Sequence, residues 1–447
     1  MVNRGLHGAL TPNSGKNVSQ QINLNPREIR KVVVAGFVGT AIEWYDFFLY
    51  GAAAALVFNE IFFPSLDAFA GQLASFATFA VGFFARPVGG MVFGHYGDRI
   101  GRKSMLVISL ALMGVATFLI GLLPTYNQIG IWAPVFLVAL RFIQGFGVGG
   151  EWGGAVLLAA EHAEPGRRGF YASFIQMGAP AGQLLASGVF AAFAALPREQ
   201  FLAWGWRVPF LLGIFLLAVG MVIRLRILES PLFSRVAAAG PPPKIPLFEV
   251  LAKYPKNVVL AMGARMAENV SFYLFTVFIL SYAKTMKLFD SQVVLNAMLV
   301  ASVSQMIGIP FFGALSDKLG RRPVYLFGAA GMALFIFPFF TMVQTANPLA
   351  LTLALCIGLG VFHSAMYGPQ AAFFSELFGT RVRYSGASLG YQLASPLAGG
   401  IAPMIATSLL QSSAGSPSPV AWYLIAMVAI TLLAVYFCRE TSKEELG

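Results

Sequence analysis

Charged side chains are scarce in this chain of 447 residues, since Asp, Glu, Lys and Arg together make up only 11% of it. An average soluble domain carries about 25% charged residues. Hydrophobic residues account for 57% of the chain, which is more than a water-soluble fold could hide from solvent. The shortage of charge therefore excludes an ordinary soluble domain and favours a membrane protein.

Disulfides and enzyme motifs are also missing. The two cysteines, Cys356 and Cys438, lie in separate apolar runs, so we expect them to pack rather than to pair. The chain has no G-x-x-x-x-G-K-[ST] loop, no metal-ligand spacing and no nucleophile–base motif. We therefore expect neither an enzyme nor a bound cofactor, and any transport would be driven by an ion or substrate gradient.

What the chain does have is a series of apolar runs of about 20 residues or more, the length that crosses a bilayer as a helix. Six candidate spans precede a polar loop around 226–255, and six follow it. Their predicted boundaries are 32–58, 69–93, 105–124, 130–160, 170–196, 205–225, 256–283, 292–315, 323–343, 349–374, 385–411 and 419–438. The sequence thus predicts an all-α membrane protein with twelve transmembrane helices.

The predicted domain organisation follows from these runs. Residues 1–31 are polar and lack a cleavable signal, so we expect a disordered cytoplasmic tail, with span 1 as the insertion signal. A six-helix bundle over 32–225 is followed by a cytoplasmic linker over 226–255. A second six-helix bundle covers 256–438, and a short cytoplasmic tail covers 439–447.

The net charge of +11 arises from 30 basic and 19 acidic residues. Most basic residues fall in the two tails, the central loop and the turns on one side of the twelve-span arrangement. By the positive-inside rule that side is cytoplasmic, which places both termini inside the cell. We therefore interpret the basic excess as a topology signal with contacts to the lipid bilayer, and we expect no nucleic-acid partner.

A charged turn is repeated in the two halves. The segment GHYGDRIGRK at 94–103 returns as GALSDKLGRR at 313–322, a shift of 219 positions (313 minus 94). Glu161 and Glu376 are part of a second echo, 215 positions apart (376 minus 161). Two halves in parallel register indicate a duplicated fold, and in a membrane protein they indicate a two-half transporter.

Ionisable residues at bilayer depth are candidates for function, because each costs at least about 2.5–3.5 kcal/mol to insert. Four acids and three arginines lie there, together with one histidine. They are Glu43 and Asp46 in span 1, Arg86 in span 2, Arg141 and Glu151 in span 4, Arg265 and Glu268 in span 7, and His363 in span 10. Their near balance of charge predicts pairing around a cavity. For Arg86 and Glu151, simple pinning of helices remains an equal alternative.

Helical spacing groups these residues into polar stripes. Span 1 carries Glu43, Asp46 and Tyr50 on one face, and span 4 carries Arg141 and Gln144. Span 7 carries a third stripe, made of Arg265, Glu268, Asn269 and Phe272, with Tyr273 beside it. Because spans 1 and 7 occupy corresponding places in the two halves, we expect their stripes to face each other.

Span 4 also contains the glycine-rich run GFGVGG at 145–150, which matches G-x-G-x-x-G. No strand precedes it and the whole run is apolar, so a dinucleotide site is not expected. Close packing against a neighbouring helix explains the glycines better.

Several segments together resemble a known family. They are the repeated turn, GTAIEWYDFFLY at 39–50, FARPVGG at 84–90, RFIQGFGVGGEWGG at 141–154 and WGWRVPF at 204–210. The chain is similar to the major facilitator superfamily, and within it to the metabolite–proton symporters that carry shikimate, 2-oxoglutarate, citrate, or proline and betaine. The resemblance covers the first half and, through the repeated turn, much of the second.

The resemblance implies proton-coupled import of a small organic acid by alternating access, in a monomer in the inner membrane. In related sugar–proton symporters an aspartate of span 1 accepts the proton and an arginine of span 4 tunes it, which matches Asp46 and Arg141. Glu43 and Glu268 are rival proton carriers. The alternatives left open are a zwitterionic osmolyte as substrate and, less favoured, a channel or a membrane enzyme.

We predict that the substrate carboxylate binds arginine through charge-assisted hydrogen bonds. The predicted substrate-binding residues are Arg141, Arg265, Gln144, Asn269, Tyr45, Tyr273, Tyr391 and His363, with Phe272 and Tyr367 shaping the cavity. A lone histidine such as His363 on an apolar helix is more often a packed, hydrogen-bonded residue than a proton relay.

We predict that the two charged turns act as gates. Asp98 and Asp317 are placed to cap the start of a neighbouring helix, and the basic residues beside them are placed to bridge to acids on other turns. The predicted gating residues are Gly94, Asp98, Arg99, Gly101, Arg102, Glu161, Asp317, Arg321 and Glu376. Simple anchoring of the topology is the alternative.

Overall fold

The computed structural model describes residues 26–100, 102–149, 156, 163, 166–226, 252–378 and 383–443. Regular structure in these ranges is helical throughout. Twelve helical segments occur where the twelve spans are predicted, and the predicted all-α architecture is confirmed.

We label the long segments α1 to α12 in chain order. The first half comprises α1 (Pro26–Leu56), α2 (Ala68–Ile100), α3 (Arg102–Leu122), α4 (Trp132–Val148), α5 (Arg168–Ala194) and α6 (Arg207–Arg226). The second half comprises α7 (Pro255–Thr285), α8 (Ser291–Leu319), α9 (Arg321–Gln344), α10 (Pro348–Glu376), α11 (Arg383–Ser412) and α12 (Ser418–Phe437). Short helices at Phe58–Ile61, Tyr126–Ile129 and Arg198–Gln200 lie in the connections.

Length and composition allow most of these helices to cross a membrane. Within the described ranges eight helices qualify singly, and a ninth span is the pair Arg198–Gly205 and Arg207–Ile223, bent by 41°. Two shorter apolar helices, Val107–Leu122 and Trp132–Val148, belong to α3 and α4. The side on which α1 begins and α12 ends is called the tail side below, and the opposite side is called the Glu60 side.

The charged turns are shorter than predicted. Both α2 and α8 continue through the charged residues, to Ile100 and Leu319, where the sequence predicted that their spans end at 93 and 315. The chain reverses direction after α8 at Gly320. Its φ of 104° is readily adopted by glycine and is strained for other residues. The charges therefore extend from helix ends, beyond the apolar part of each helix.

Each half packs as a bundle, and the halves meet along several helix pairs. In the first half α1 packs on α5, α2 on α4, and α3 on α4 and α6. In the second half α7 packs on α11 and α12, α8 on α10, and α9 on α10 and α12. Between the halves α5 contacts α8 and α10, α2 contacts α11, and α1 contacts α7.

Glycines bring α2 and α4 into backbone contact. A Cβ on Gly145 would collide with the backbone of Gly82, one on Gly89 would collide with the Phe146 carbonyl, and one on Gly149 would collide with the Arg86 carbonyl. The run at 145–150 therefore serves helix packing up to Gly149, as predicted.

We expect Gly145→Ala to lower the thermal stability of the detergent-solubilised protein, because overpacking against a backbone costs about 1–3 kcal/mol. The matched control is Gly188→Ala in α5, where an added Cβ would come no nearer than 3.7 Å to Leu299. That variant should be neutral or slightly stabilised, since Ala exceeds Gly in helix propensity by roughly 0.5–1 kcal/mol. Equal melting temperatures for the two variants would contradict the close contact.

Three π-helical segments interrupt helices of the second half. They are Leu274–Phe278 in α7, Cys356–His363 in α10 and Ser395–Gly400 in α11. Such wide turns occur often at functional sites in membrane and soluble helices. Each of these segments contains or directly adjoins a residue of the site described next.

Candidate functional site

Seven ionisable side chains lie buried in the middle of the bundle, and we call them the central cluster. None is more than 4% exposed. They come from α1, α2, α4, α7 and α10, and are Glu43, Asp46, Arg86, Arg141, Arg265, Glu268 and His363. All seven were predicted at bilayer depth from the sequence.

A chain of hydrogen bonds runs from Arg141 toward Asp46 within the first half. Arg141 donates from Nη1 to Oε1 of Gln144. Gln144 in turn donates from Nε2 to Oγ1 of Thr117 at 2.8 Å, and Thr117 donates to the Met113 carbonyl oxygen at 3.0 Å. The Asp46 carboxylate lies beside Thr117, where both approach Gly213 of α6. Two neutral side chains of α3 and α4 thus lie between Arg141 and Asp46.

The direction of Asp46 differs from the prediction that the stripes of spans 1 and 7 face each other. Asp46 points to Thr117 of α3 and lies beside Gly213 of α6, inside its own half. The face of α1 that meets α7 is aromatic instead: the rings of Trp44 and Phe48 lie 5.8 and 5.4 Å from that of Phe272. Bulky rings occupy the contact between the halves, so the acid turns toward hydrogen-bonding partners.

Arg141 has its guanidinium surrounded by partners. Its carbon Cζ lies 4.1 Å from the ring centres of both Phe47 and Tyr50. Besides the bond to Gln144, Nε and Nη2 lie 3.4 and 3.5 Å from the carbonyl oxygen of Phe79. A Cβ on Gly82 would collide with this guanidinium. Arg141 is therefore built into the first half, which weakens its case as a substrate ligand.

Arg86 is the arginine of the first half that keeps unused donors. Its Cζ lies 3.8 Å from the ring centre of Phe47 and 4.6 Å from that of Phe83. Nε and Nη2 have no hydrogen-bond partner among the described residues. Glu43 is near enough to Arg86 to act on its charge. The Phe83 ring meets Tyr273 of α7 at 5.2 Å, so Arg86 lies next to the contact between the halves.

Arg265 is its counterpart in the second half. Its Cζ lies over the ring of Tyr391, 3.0 Å from the centre, and its Nε is 3.7 Å from Oε2 of Glu268. That distance allows attraction but is too long for a hydrogen bond. Nε and Nη1 both lack an acceptor in the described part of the chain.

Two neutral donors beside Arg265 are also unsatisfied. Asn269 Nδ2 and the Tyr273 hydroxyl have no hydrogen-bond partner within the described ranges, and both side chains lie close to Gly399 of α11. Buried polar groups are almost always hydrogen-bonded in native proteins, so each exception requires an explanation. An acceptor supplied from outside the chain, such as a carboxylate, would satisfy this group of donors.

Glu268 and His363 form the third part of the cluster. His363 Nε2 lies 3.2 Å from Glu268 Oε1, and its Nδ1 lies 2.7 Å from Gln305 Nε2 of α8. Gln370 donates to Glu268 Oε2 at 3.2 Å. The His363 ring stacks on Phe272 at 4.8 Å. His363 is therefore held in a polar network, and the neutral partners Gln305 and Gln370 were not found from the sequence.

The other predicted substrate residues divide into two groups. Tyr391 and Tyr273 lie against the arginines, and Tyr273 also meets Phe83 of α2 at 5.2 Å. Tyr45 points away, because its hydroxyl donates to the carbonyl oxygen of Pro209 in α6 at 2.7 Å. We therefore correct its predicted role: Tyr45 ties α1 to α6 and does not line the space between the arginines. Glu43 is buried near Arg86 and Asp46.

On the tail side, Asp317 connects the halves. Its Oδ1 and Oδ2 accept from the backbone N–H groups of Gly169 and Phe170, at 2.8 and 2.9 Å. These are the first residues of α5, where a carboxylate also meets the positive end of the helix dipole. A carboxylate of the second half thus caps a helix of the first half.

Arg321 binds this carboxylate to a second one. Its Nη1 lies 2.7 Å from Asp317 Oδ1, and its Nη2 lies 3.1 Å from Glu376 Oε1. Two residues that follow α12 add to the cluster, since Glu440 accepts from the backbone N–H of Arg321 at 2.8 Å and Thr441 donates to Glu376 at 2.6 Å. We call Asp317, Arg321 and Glu376 the tail-side latch.

Several predicted residues lie outside what the structure describes. Glu151, Glu161 and Gly101 fall outside the described ranges. The backbone of Gly94, Asp98 and Arg99 is helical in α2, and Arg102 begins α3, but their side chains and surroundings are not described. The predicted gating roles of these residues remain predictions.

We expect Asp317→Asn to open the tail side, because the variant loses the negative charge shared by Arg321 and the start of α5. A cysteine at Ala172, fully buried next to this contact, should react several times faster with a thiol reagent, in a background of Cys356→Ser and Cys438→Ser. The matched control is Asp67→Asn, which removes the negative charge from a helix cap on Phe69 and Ala70 inside the first half. If the labelling rate is the same with and without Asp317→Asn, the tail-side latch does not act as a gate and serves only to anchor the topology.

On the Glu60 side, a different ion pair joins the halves. Lys284 of α7 lies 2.9 Å from Glu60 Oε1 and donates to the Leu56 carbonyl oxygen at 3.2 Å. Arg198 contacts the same carboxylate and the same carbonyl. Partial burial acts to raise the pKa of Glu60, but the hydrogen bond and charge of Lys284, together with Arg198, outweigh it and hold that pKa below its usual value. We call Glu60, Lys284 and Arg198 the outer latch. Because Glu60 lies in a short connection between two spans, no pattern in the sequence indicated its role.

Comparison with known proteins agrees with this architecture. The family model described as Major Facilitator Superfamily matches residues 36–386 and 270–446. The inner membrane metabolite transport protein YhjE of Escherichia coli K12 is 43% identical over 422 residues, covering 93% of this chain and 95% of YhjE. The shikimate transporter of the same organism is 40% identical over 417 residues, covering 93% and 95%.

A solved structure shows the same fold. The proton:xylose symporter XylE, bound to 6-bromo-6-deoxy-D-glucose, superposes with a TM-score of 0.75 at 19% identity, covering 95% of this chain and 98% of that one.

Proposed function

Because the chain belongs to the major facilitator superfamily of membrane transporters, we propose that it carries a small organic acid together with protons by alternating access. The chain is a multi-pass transporter and not an enzyme. The observation that carries the proposal is the set of donors on Arg86, Arg265, Asn269 and Tyr273, which come from both halves and have no hydrogen-bond partner in the described part of the chain. A carboxylate placed among them would accept charge-assisted hydrogen bonds from two buried arginines.

The position of these donors supports alternating access. Arg86 belongs to the first half and Arg265 to the second, so an anion between them would contact both halves at once. It would screen the repulsion between the two cations and favour closure of the halves around it. The tail-side latch and the outer latch then hold the two ends, and breaking one at a time would expose the site to one side.

The substrate class follows from charge and shape. A carboxylate matches the arginines, and the rings of Trp44, Phe47, Phe83 and Phe272 around them suit a compact, partly apolar body. The printed name of the similar shikimate transporter makes shikimate, a cyclic monocarboxylate, the first candidate. Other organic acids of similar size are the next candidates.

Proton coupling is assigned to Asp46 in this proposal. The carboxylate of Asp46 is buried in the bundle, and Thr117 and Gln144 lie between it and Arg141, so it can gain or lose a proton as its distance from that arginine changes. Glu43 and Glu268 remain the alternative carriers. We place the tail side in the cytoplasm and the protein in the inner membrane as a monomer, with basic residues concentrated on that side.

Uptake into proteoliposomes tests the proposal. The purified chain should accumulate at least one of shikimate, 2-oxoglutarate and citrate when a proton gradient is imposed, and a protonophore should abolish the accumulation. Proline and glycine betaine belong in the same assay, because accumulation of these zwitterions alone would replace the acid by an osmolyte. Flux that does not saturate with concentration would indicate a channel.

A further inference from the structure

The Glu268–His363 pair is a second buried titratable group, and it takes no part in the hydrogen-bond chain around Asp46. The two side chains are 2% and 1% exposed and lie 3.2 Å apart. Their helices, α7 and α10, are both in the second half, whereas Asp46 and Arg141 are in the first. Burying such a pair is costly unless further hydrogen bonds satisfy it, and both side chains have such partners.

Gln305 can serve either protonation state of the His363 ring. Its Nε2 lies 2.7 Å from Nδ1, which suits the neutral tautomer that carries its proton on Nε2, facing Glu268. The Gln305 oxygen Oε1 has no partner within the described ranges. A half-turn of the amide would bring that oxygen to Nδ1 and would accept from a doubly protonated ring. The ring can therefore take up a proton without losing either hydrogen bond.

Arg265 stands between this pair and the unsatisfied donors of the candidate site. It is attracted to Glu268 across 3.7 Å without a hydrogen bond, while Gln370 donates to the same carboxylate oxygen at 3.2 Å. The guanidinium rests on the Tyr391 ring and keeps free N–H groups. Arg265 can thus be drawn to Glu268 or to an anion from outside.

The other side chains around the pair do not compete with Arg265 for the Glu268 charge. The ionisable or polar side chains that face it are Arg265 and Tyr273 from α7, Gln305 from α8, Tyr325 from α9, Tyr367 and Gln370 from α10 and Tyr391 from α11. Tyrosines are neutral near pH 7. Among the side chains described, Arg265 is the group whose permanent positive charge faces Glu268.

We infer that Glu268 and His363 hold one exchangeable proton between them, and that the charge of this pair decides whether Arg265 is drawn to Glu268 or open to the substrate anion. Without the proton the pair carries one negative charge and attracts Arg265. When a proton from one aqueous side is added, the pair becomes neutral and the substrate carboxylate takes its place as the anion beside Arg265. When the substrate anion leaves, Arg265 is drawn back to Glu268 and the pair releases its proton to the opposite aqueous side.

This inference rests on the proposed function in taking an anion as the substrate. The proposed function assigns the proton to Asp46 in the first half. The inference adds a second proton site in the second half, next to the unsatisfied donors of the candidate site. His363 acts here as a proton-holding residue and Gln305 as a positioning residue.

Binding at two pH values tests it on the purified full-length protein in lipid nanodiscs, with shikimate as the probe. In the wild type, affinity at pH 6 should exceed that at pH 8 by at least about tenfold, as expected for binding linked to one proton over two pH units. Glu268→Gln removes the negative charge that draws Arg265 away from the substrate, so its affinity should already be high at pH 8 and differ less than about twofold from that at pH 6. If Glu268→Gln instead weakens binding equally at pH 6 and pH 8, the role of Glu268 is merely structural and the inference is overturned.

Asp46→Asn separates the inference from the proposed function. If the pH dependence survives in Glu268→Gln and disappears in Asp46→Asn, Asp46 alone supplies the coupling, so the inference fails and the proposed function stands.

A second readout needs no ligand. The chain has four histidines, and in protein labelled with ¹⁵N-histidine the His363 signals are identified by their loss in His363→Gln. We expect the Nε2–H form at neutral pH and a titration that changes in both Glu268→Gln and Gln305→Leu. An identical His363 titration in wild type and Glu268→Gln would overturn the inference whether or not any acid binds. Failure of every acid to bind or accumulate would instead sink the proposed function alone.

Discussion

Replacing Arg265 by Gln should weaken the binding of a carboxylate substrate by about 1.5–3 kcal/mol, the range for a hydrogen bond to a charged group. That corresponds to a roughly 10- to 150-fold increase in Kd. The loss is large because Arg265 is buried and its Nη1 and Nε have no acceptor among the described residues. Kd is measured by calorimetry on the purified protein with the acid that proves to be transported.

The other two central arginines make this prediction sharper. Arg86→Gln should raise Kd in the same range, because Arg86 also keeps unused donors. Arg141→Gln should raise Kd less, because the Arg141 guanidinium already binds Gln144 and lies over two rings. Arg207→Gln is the control, since Arg207 donates to carbonyls of Gly121 and Leu123 away from the cluster. Unchanged Kd values in both Arg265→Gln and Arg86→Gln would refute an anionic substrate.

Asp46→Asn should abolish uphill accumulation of the substrate while leaving exchange of substrate across the membrane. The amide resembles the protonated carboxyl in size and cannot take up or release a proton, so coupling is lost. The central arginines remain in place, and the variant should still bind substrate. Proteoliposomes would be assayed for accumulation under a proton gradient and for counterflow without one.

The control for Asp46→Asn is Asp67→Asn, which removes an exposed carboxylate that caps the start of α2. It should accumulate substrate as the wild type does. Full gradient-driven accumulation by Asp46→Asn would transfer the coupling role to another acid, of which Glu268 and Glu43 are the candidates.

The fold could be predicted from the sequence because its two signals are long-range and strong. Apolar runs of membrane length place twelve helices, and the repeat of 94–103 at 313–322 divides them into two halves. Helix ends were less well predicted, as α2 and α8 show, because a charged helix end that leaves the bilayer has no apolar signal. Hydropathy marks where a helix is buried in lipid and says little about where its hydrogen bonds stop.

The members of the central cluster could be predicted, but their partners could not. Periodicity shows which residues share a face of a helix, and charge shows which of them are costly to bury. Neither gives the rotation of that helix against its neighbours, so the turn of Asp46 toward Thr117 and of Tyr45 toward Pro209 could not be foreseen. For the same reason the sequence could not show that Gln144 satisfies Arg141 while Arg86 Nε and Nη2 lack an acceptor among the described residues.

Neutral partners were missed for a different reason. Gln305 and Gln370 are ordinary polar residues in apolar helices, and the sequence has many of these. Only their distances to His363 and Glu268 distinguish them from the rest. Lone polar residues that lie on different helices can be assigned to one network only once the packing is known.

The two latches differ in how far water and dissolved ions reach them. Side chains of the tail-side latch are 1–6% exposed, whereas those of the outer latch are 36–46% exposed. Mobile ions screen exposed charges strongly and buried ones weakly, with a Debye length of about 8 Å at physiological ionic strength. Raising the ionic strength should therefore loosen the Glu60 side while the tail side stays closed. We therefore expect the resting orientation of this transporter to change with the salinity of its surroundings.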